Sequence, residues 1–153
     1  MIYPRVYQFG HGMDAQTYWE NIYGEKAADA VSWYRPHLEK SLELIEHATH
    51  GLSASIIDVG GGESTLVDDL LARRYRNITI LDISQTAIDV TKKRLGSASK
   101  DIHWLVGDIT NVELEFCSYD VWHDRAVFHF LTAADARMAY VRQVAKAVKA
   151  GAT

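Results

Sequence analysis

Ile56-Ile57-Asp58-Val59-Gly60-Gly61-Gly62-Glu63-Ser64 is the stretch on which the fold of this chain turns. A short apolar run ends on a carboxylate and enters three glycines, which reads as a strand feeding a tight turn. Glycine lets such a turn close and lets backbone approach a ligand. A helical pattern follows, so unpaired N–H groups and a positive dipole end would face whatever the turn holds. Further on, Ile80-Leu81-Asp82 reads as a second strand ending on an acid. A carboxylate there can accept hydrogen bonds from a ribose diol, as in the mononucleotide-binding halves of α/β folds. The two segments together imply a cofactor that contains adenosine.

From Ser53 onward, strand-like runs at 55–59, 77–82, 102–106 and 119–123 alternate with helical patterns at 65–75, 85–95 and 133–150. Such alternation argues an α/β fold with a parallel sheet. The strands are flanked by apolar residues, as expected when both faces are covered. Ser64 or Thr65 can cap the first of these helices and Ser84 the second. Thr132 with Asp135 makes a capping-box arrangement for the third, whose buried stripe would be Val141, Val144 and Val148. Two further helices precede the sheet. Asp14 can cap a short one carrying Tyr18, Trp19 and Tyr23 that stops at Gly24, and Pro36 suits the first turn of the next, with Leu38, Leu42 and Ile45 on one face before Gly51. Residues 1–51 thus read as an N-terminal helical cap and 53–153 as a cofactor-binding core, in one domain.

The chain has 153 residues, and its 16 basic against 20 acidic side chains give a net charge of −4. One domain with one core fits this length, and the charge gives no sign of a nucleic-acid partner. A single cysteine, Cys117, excludes an internal disulfide. No secretory signal or membrane-spanning run is visible, so a cytoplasmic location is expected. His47 and His50 are three apart on a helix but lack a carboxylate or cysteine to complete a set, so no metal is expected. There is no nucleophile elbow of a hydrolase.

Two cofactors compete for the glycine turn. A dinucleotide fold wants glycine or alanine at position 65, where Thr65 stands. Asp58 would also repel a pyrophosphate. A sulfonium cofactor reverses that objection, because S-adenosylmethionine carries an ammonium and a positive sulfur instead of phosphates, and an acid at the strand end attracts them.

These residues resemble the class I S-adenosylmethionine-dependent methyltransferases. Asp58-Val59-Gly60-Gly61-Gly62 is similar to that family's first motif, Asp82 to its ribose acid, Gly107-Asp108-Ile109 to the acid that meets the adenine amino group, and Asp120-Val121-Trp122-His123-Asp124 to its fourth strand and acceptor-side loop. Ser64 stands where many members have another glycine. Tyr18-Trp19-Glu20-Asn21-Ile22-Tyr23, Ser32-Trp33-Tyr34 and His123-Asp124-Arg125-Ala126-Val127-Phe128-His129-Phe130-Leu131 resemble, more locally, a bacterial branch related to the eukaryotic lysine methyltransferases of citrate synthase and elongation factor 1A.

The resemblance implies a Rossmann-like open sheet in the order 3-2-1-4 with helices on both faces. It implies that Gly60, Gly61 and Gly62 line the methionine moiety with Asp58 near its ammonium. Asp82 would hold the ribose, Ile83 and Ile109 would sandwich the adenine, and Asp108 would accept from its amino group. Trp33 is a candidate to lie over the sulfonium, since aromatic faces attract cations. Asp124 or His129 would take or position the proton of an acceptor, a protein lysine or a small molecule. A binding or scaffold module without turnover is the alternative, and a nicotinamide oxidoreductase a weaker one. Ala150-Gly151-Ala152-Thr153 stands where another strand would normally begin, so the domain reads as incomplete. That leaves the strand near Tyr119–His123 expected on a free edge, a template for a homodimer.

Overall fold

The computed structural model describes residues 14–25 and 34–153. Trp33 lies outside the described residues. Two helices, α1 (Ala15–Glu25) and α2 (Glu39–Ala48), precede β1 (Ile56–Val59), α3 (Leu66–Ala72), β2 (Ile78–Asp82), α4 (Gln85–Leu95), β3 (His103–Val106), β4 (Val121–Asp124), α5 (Val127–Phe130) and α6 (Ala134–Ala147). The four strands are parallel in the order β3-β2-β1-β4. All four residues of β1 and all five of β2 are buried, the mark of central strands covered on both sides.

Alternation along β1 divides the core. Ile56 faces Leu42 and Ile45 of α2 and Leu66, Val67 and Leu70 of α3, while Ile57 and Val59 face Tyr140 and Ala147 of α6. Ser84 caps α4, accepting from Ala87 N at 3.1 Å, and Asp14 Oδ1 accepts from Thr17 N at 2.9 Å at the start of α1.

Several local expectations shift. At α3 the capping bond is Ser64 Oγ accepting from Leu66 N, while the Thr65 hydroxyl donates to Arg35 O at 2.8 Å and ties down the chain ahead of α2. Pro36 lies ahead of α2 rather than in its first turn, because Asp69 Oδ2 accepts from Leu38 N and sets the start at Glu39. Gly24 does not stop α1, which runs to Glu25. The Thr132 cap is replaced by Ala133, which makes no side-chain cap, and Asp135 accepts only from Ala136 N. The buried stripe of α6 is Tyr140 and Ala147 with half-buried Val144, and Val141 is 50% exposed. The Tyr140 hydroxyl, bonded to Asp124 at 2.5 Å and to Trp122 Nε1 at 2.9 Å, turns that face inward.

The outer edge of β4 is not free over its first part. Tyr119 pairs in parallel with Val148, Lys149 N donates to Tyr119 O, Thr153 N donates to Asp120 O, and Trp122 N donates to Thr153 O. Val148, expected in the helix, is therefore extended chain beside the sheet.

Candidate cofactor site

The strand ends place the site. β1 stops at Val59 and the chain turns at Gly60, whose φ of 74° lies in the region that favours glycine. Gly60 N donates to Leu81 O at 2.7 Å, which anchors the turn to β2. A Cβ on Gly60 would strike Val127 Cγ2, one on Gly61 would strike Asp58 Oδ2, and one on Gly62 would lie 2.7 Å from Asp82 Oδ2 and 2.6 Å from Ala87 Cβ. All three glycines are thus required by close approach. Thr91 of α4 holds the turn from below, its hydroxyl donating to Gly62 O at 2.5 Å.

Three carboxylates gather around this turn. Asp58 is 2% exposed, with Oδ1 at 2.7 Å from His123 Nδ1 and Oδ2 without a hydrogen-bond partner. Asp82 accepts from Gly62 N and Ser84 N, both at 2.9 Å. Burial pushes its pKa up to about 6 in spite of those two bonds, with Asp58 and Glu20 adding to the rise. Glu63 is 8% exposed and its Oε2 also lacks a partner. Burial and the charge of Asp82 push Glu63 up to about 7. Asp58 Oδ2 and Glu63 Oε2 are the two buried side-chain polar atoms without a partner among the described residues, and such atoms in a crevice mark a place prepared for a donor or cation.

That chemistry separates the two cofactor classes. A turn that cradles a pyrophosphate aims its N–H groups at the ligand. Here the Gly62 N–H is bound to Asp82, and the neighbouring carboxylates repel phosphate. The residues present fit a ligand with a ribose and a positive end.

α1 crosses this crevice. Glu20 accepts from Ser84 Oγ at 3.0 Å, Gln85 N at 2.6 Å and Thr86 N at 3.2 Å, so a residue of α1 satisfies the N-terminus of α4. Burial works to raise the Glu20 pKa, but hydrogen bonds from Thr86, Gln85 and Ser84 outweigh it and hold it low. One turn on, burial and the charges of Asp82 and Glu63 raise the pKa of Tyr23. Trp19 meets Phe130 of α5 edge to face, with ring centroids 5.1 Å apart. Glu20, Tyr23, Glu63 and His123 stand in stretches that the sequence made conspicuous, but none of them was expected as a site residue. Glu20 stands in a helix whose aromatic residues drew the eye, and nothing local signals that it caps a helix 64 to 66 residues away.

The remaining expected residues fall at strand ends. Asp108 Oδ1 accepts from Thr110 N and Thr110 Oγ1, both at 2.8 Å, in a turn directly after β3, and Gly107 N donates to Asp82 O. Ile83 is half-buried next to Asp82, whereas Ile109 is 5% exposed and packs into the core with Leu81 and Leu114. On the acceptor side, Asp124 accepts from Ala126 N, Val127 N and Phe128 N and from the Tyr140 hydroxyl. Its carboxylate therefore caps α5. His129 lies exposed on α5 against Phe130. A groove of about 560 Å³ lies along α5 and α6, lined by Asp124 with Ala126, Phe128, Tyr140, Val141, Val144 and Ala145, and Asp58, Glu63 and Asp82 do not line it. Among the described residues no three histidine, cysteine or acidic side chains come together as metal ligands, and no helix is long and apolar enough to cross a membrane.

The methyltransferase domain family matches residues 56–151, more than half of the chain. The chain belongs to that family. It is a class I domain of the S-adenosylmethionine-dependent type, with the expected strand order. The eEF1A lysine and N-terminal methyltransferase of Mus musculus is 29% identical over 108 residues, covering 71% of this chain and 15% of the relative. This chain thus spans about a seventh of the curated relatives it matches. In fold it resembles phosphoethanolamine N-methyltransferase 1 of Haemonchus contortus, solved with phosphoethanolamine and S-adenosylhomocysteine, at a TM-score of 0.68 and 13% identity over 94% of this chain and 32% of that one. It also resembles a protein solved in a study of disulfide-to-thioacetal conversion during echinomycin biosynthesis, at a TM-score of 0.74 and 18% identity over 88% of this chain and 56% of that one.

Proposed function

We propose that this chain binds S-adenosylmethionine in the crevice under α1 and acts in transferring its methyl group to an acceptor that approaches from α5. The observation that carries this reading is the buried, unpartnered Asp58 Oδ2 against the glycine turn, beside Asp82 at the end of β2. Asp58 would face the ammonium, Gly60, Gly61 and Gly62 the methionine chain, and Asp82 the ribose diol. Asp108, Ile83 and Ile109 would hold the adenine, and Trp33 would lie near the sulfonium. When bound, the cofactor supplies an activated methyl group, and the chain supplies orientation and exclusion of water.

His129 is the stronger candidate to position an acceptor's proton, because the Asp124 carboxylate is engaged in capping α5. A protein amine as acceptor is supported by the names of the curated relatives, and a small amine by that of the Haemonchus contortus neighbour. A binding module without turnover is favoured by that engagement of Asp124. Calorimetry with S-adenosylhomocysteine, followed by transfer of a labelled methyl group to protein and to small-molecule fractions, separates these. Micromolar binding with label in one fraction is the expected result, binding without label would establish the module, and no binding would end the cofactor assignment.

A cytoplasmic location and a homodimer complete the proposal. The lone cysteine supports the first. The second is limited to the part of the β4 edge beyond Trp122, since the earlier part is paired within the chain. Sedimentation at low micromolar concentration decides it, and a monomer there would remove the dimer.

A further inference from the structure

Asp58 and His123 stand opposite each other in register on β1 and β4. The imidazole bridges two elements: Nδ1 lies 2.7 Å from Asp58 Oδ1, and Nε2 lies 3.0 Å from Ser41 Oγ on α2. The other Asp58 oxygen is buried and without a partner, and it is the one that a Cβ on Gly61 would strike. The two oxygens of one carboxylate therefore have different surroundings, one held by His123 and one turned to the glycine turn. A carboxylate rotates readily about its terminal bond. In a buried site it would turn to place both oxygens on whatever donors it could reach, because an unmet oxygen is costly. His123 removes that freedom, and Ser41 removes the freedom of His123.

We infer that His123 is a positioning residue for the amino-acid end of the cofactor, holding Asp58 Oδ1 so that Oδ2 faces the ligand's ammonium. The inference rests on the cofactor assignment above. The groups around the ring are consistent with it. Asp58 and Asp124 lie on one side of the charge balance and Arg125 on the other, and Ser41 supplies the hydroxyl from α2. Burial opposes the imidazolium, but the Asp58 hydrogen bond and the two acids outweigh it and raise the His123 pKa.

Two probes separate positioning from mere support of the fold. S-adenosylhomocysteine has the amino-acid end, and methylthioadenosine has the same nucleoside without it. By calorimetry, His123→Ala should weaken S-adenosylhomocysteine by about tenfold and leave methylthioadenosine unchanged. His123→Asn, whose amide can take the place of the Nδ1 donor, should restore most of the loss. Ser41→Ala, a change outside the sheet, should show the same split at about threefold. Equal weakening of both probes in His123→Ala, or no weakening of S-adenosylhomocysteine, overturns the inference and leaves the cofactor assignment standing. If His123→Ala does not fold, Ser41→Ala decides: a selective loss supports the relay and equal affinities overturn it. A parent chain that binds neither probe overturns the cofactor assignment and the role of His123 with it.

Discussion

At the ends of β1 and β2 the groups that face the crevice are glycine backbone and carboxylates buried to 8% exposure or less, fixed from behind by Thr91, Ser84 and His123. Beyond β4 the corresponding groups sit on the four-residue helix α5, with Phe128 42% exposed and His129 at the surface. In the first region Asp58 and Asp82 cannot move without losing the bonds from His123, Gly62 and Ser84. The second is held at its start by the Asp124 cap and along its length chiefly by aromatic contacts. On the proposed function, a rigid side for the cofactor beside a softer side for the acceptor is an arrangement in which one fold can serve different acceptors.

The contrast is tested most strongly at Gly60. Gly60→Val places a branched side chain at a φ of 74° and against Val127. It should abolish S-adenosylhomocysteine binding in calorimetry and cost about 1–3 kcal/mol of stability. Normal binding by this variant would show that the turn is not rigid at all. Asp82→Ala should weaken binding by roughly ten- to a hundredfold while the fold persists, since charge-assisted hydrogen bonds to the ribose are each worth ~1.5–3 kcal/mol. A folded variant with unchanged affinity would remove Asp82 from the site.

The buried acids also predict a pH dependence. Glu63 has its pKa raised from 4.5 to about 7 in the folded chain. Between those values the folded state binds the proton that the unfolded state has lost, so stability falls as pH rises through this window. Glu63→Gln should remove that fall, gaining roughly 1–3 kcal/mol at pH 8 and little at pH 4. Thermal midpoints of parent and variant across pH check it, and parallel curves would mean that Glu63 is solvated. Smallest of all, Asp124→Ala should lower stability by about 1 kcal/mol through loss of the α5 cap. It should leave S-adenosylhomocysteine affinity within about threefold. A large loss of affinity would show that the two regions are coupled, through the close approach of Val127 to Gly60.

Much of this contrast lay open in the sequence, and unevenly. Asp58, the three glycines, Asp82 and Asp108 could be read because each sits at a strand end, and strand ends are announced by apolar runs that stop. The parallel order followed from the resemblance those motifs carry. The crossing helix was harder. Asp14 announced where α1 begins, but its partner groups are at Ser84, Gln85 and Thr86, and contacts so distant in the chain leave no local periodicity. For α6 the pattern of valines was right at Val144, which packs against the core, and wrong at Val141, because a tyrosine hydroxyl that satisfies Asp124 and Trp122 turns the Tyr140 side inward. The free edge of β4 was misjudged for another reason: residues 148–153 make too short a run to read as a strand, yet they pair with residues 119–122 through backbone bonds and through Lys149 Nζ, which donates to Asp120 Oδ2 at 2.8 Å.

The bond network of Glu20 has a consequence for how the chain assembles. The amide groups of Gln85 and Thr86 gain their acceptor only when α1 docks, so α1 cannot add its share of stability until β2 and α4 are in place. Closing that long loop is an entropic cost borne late, with little tertiary reward before it. α1 should therefore be among the last elements to acquire protection from hydrogen exchange during refolding, and among the first to lose it in the native state.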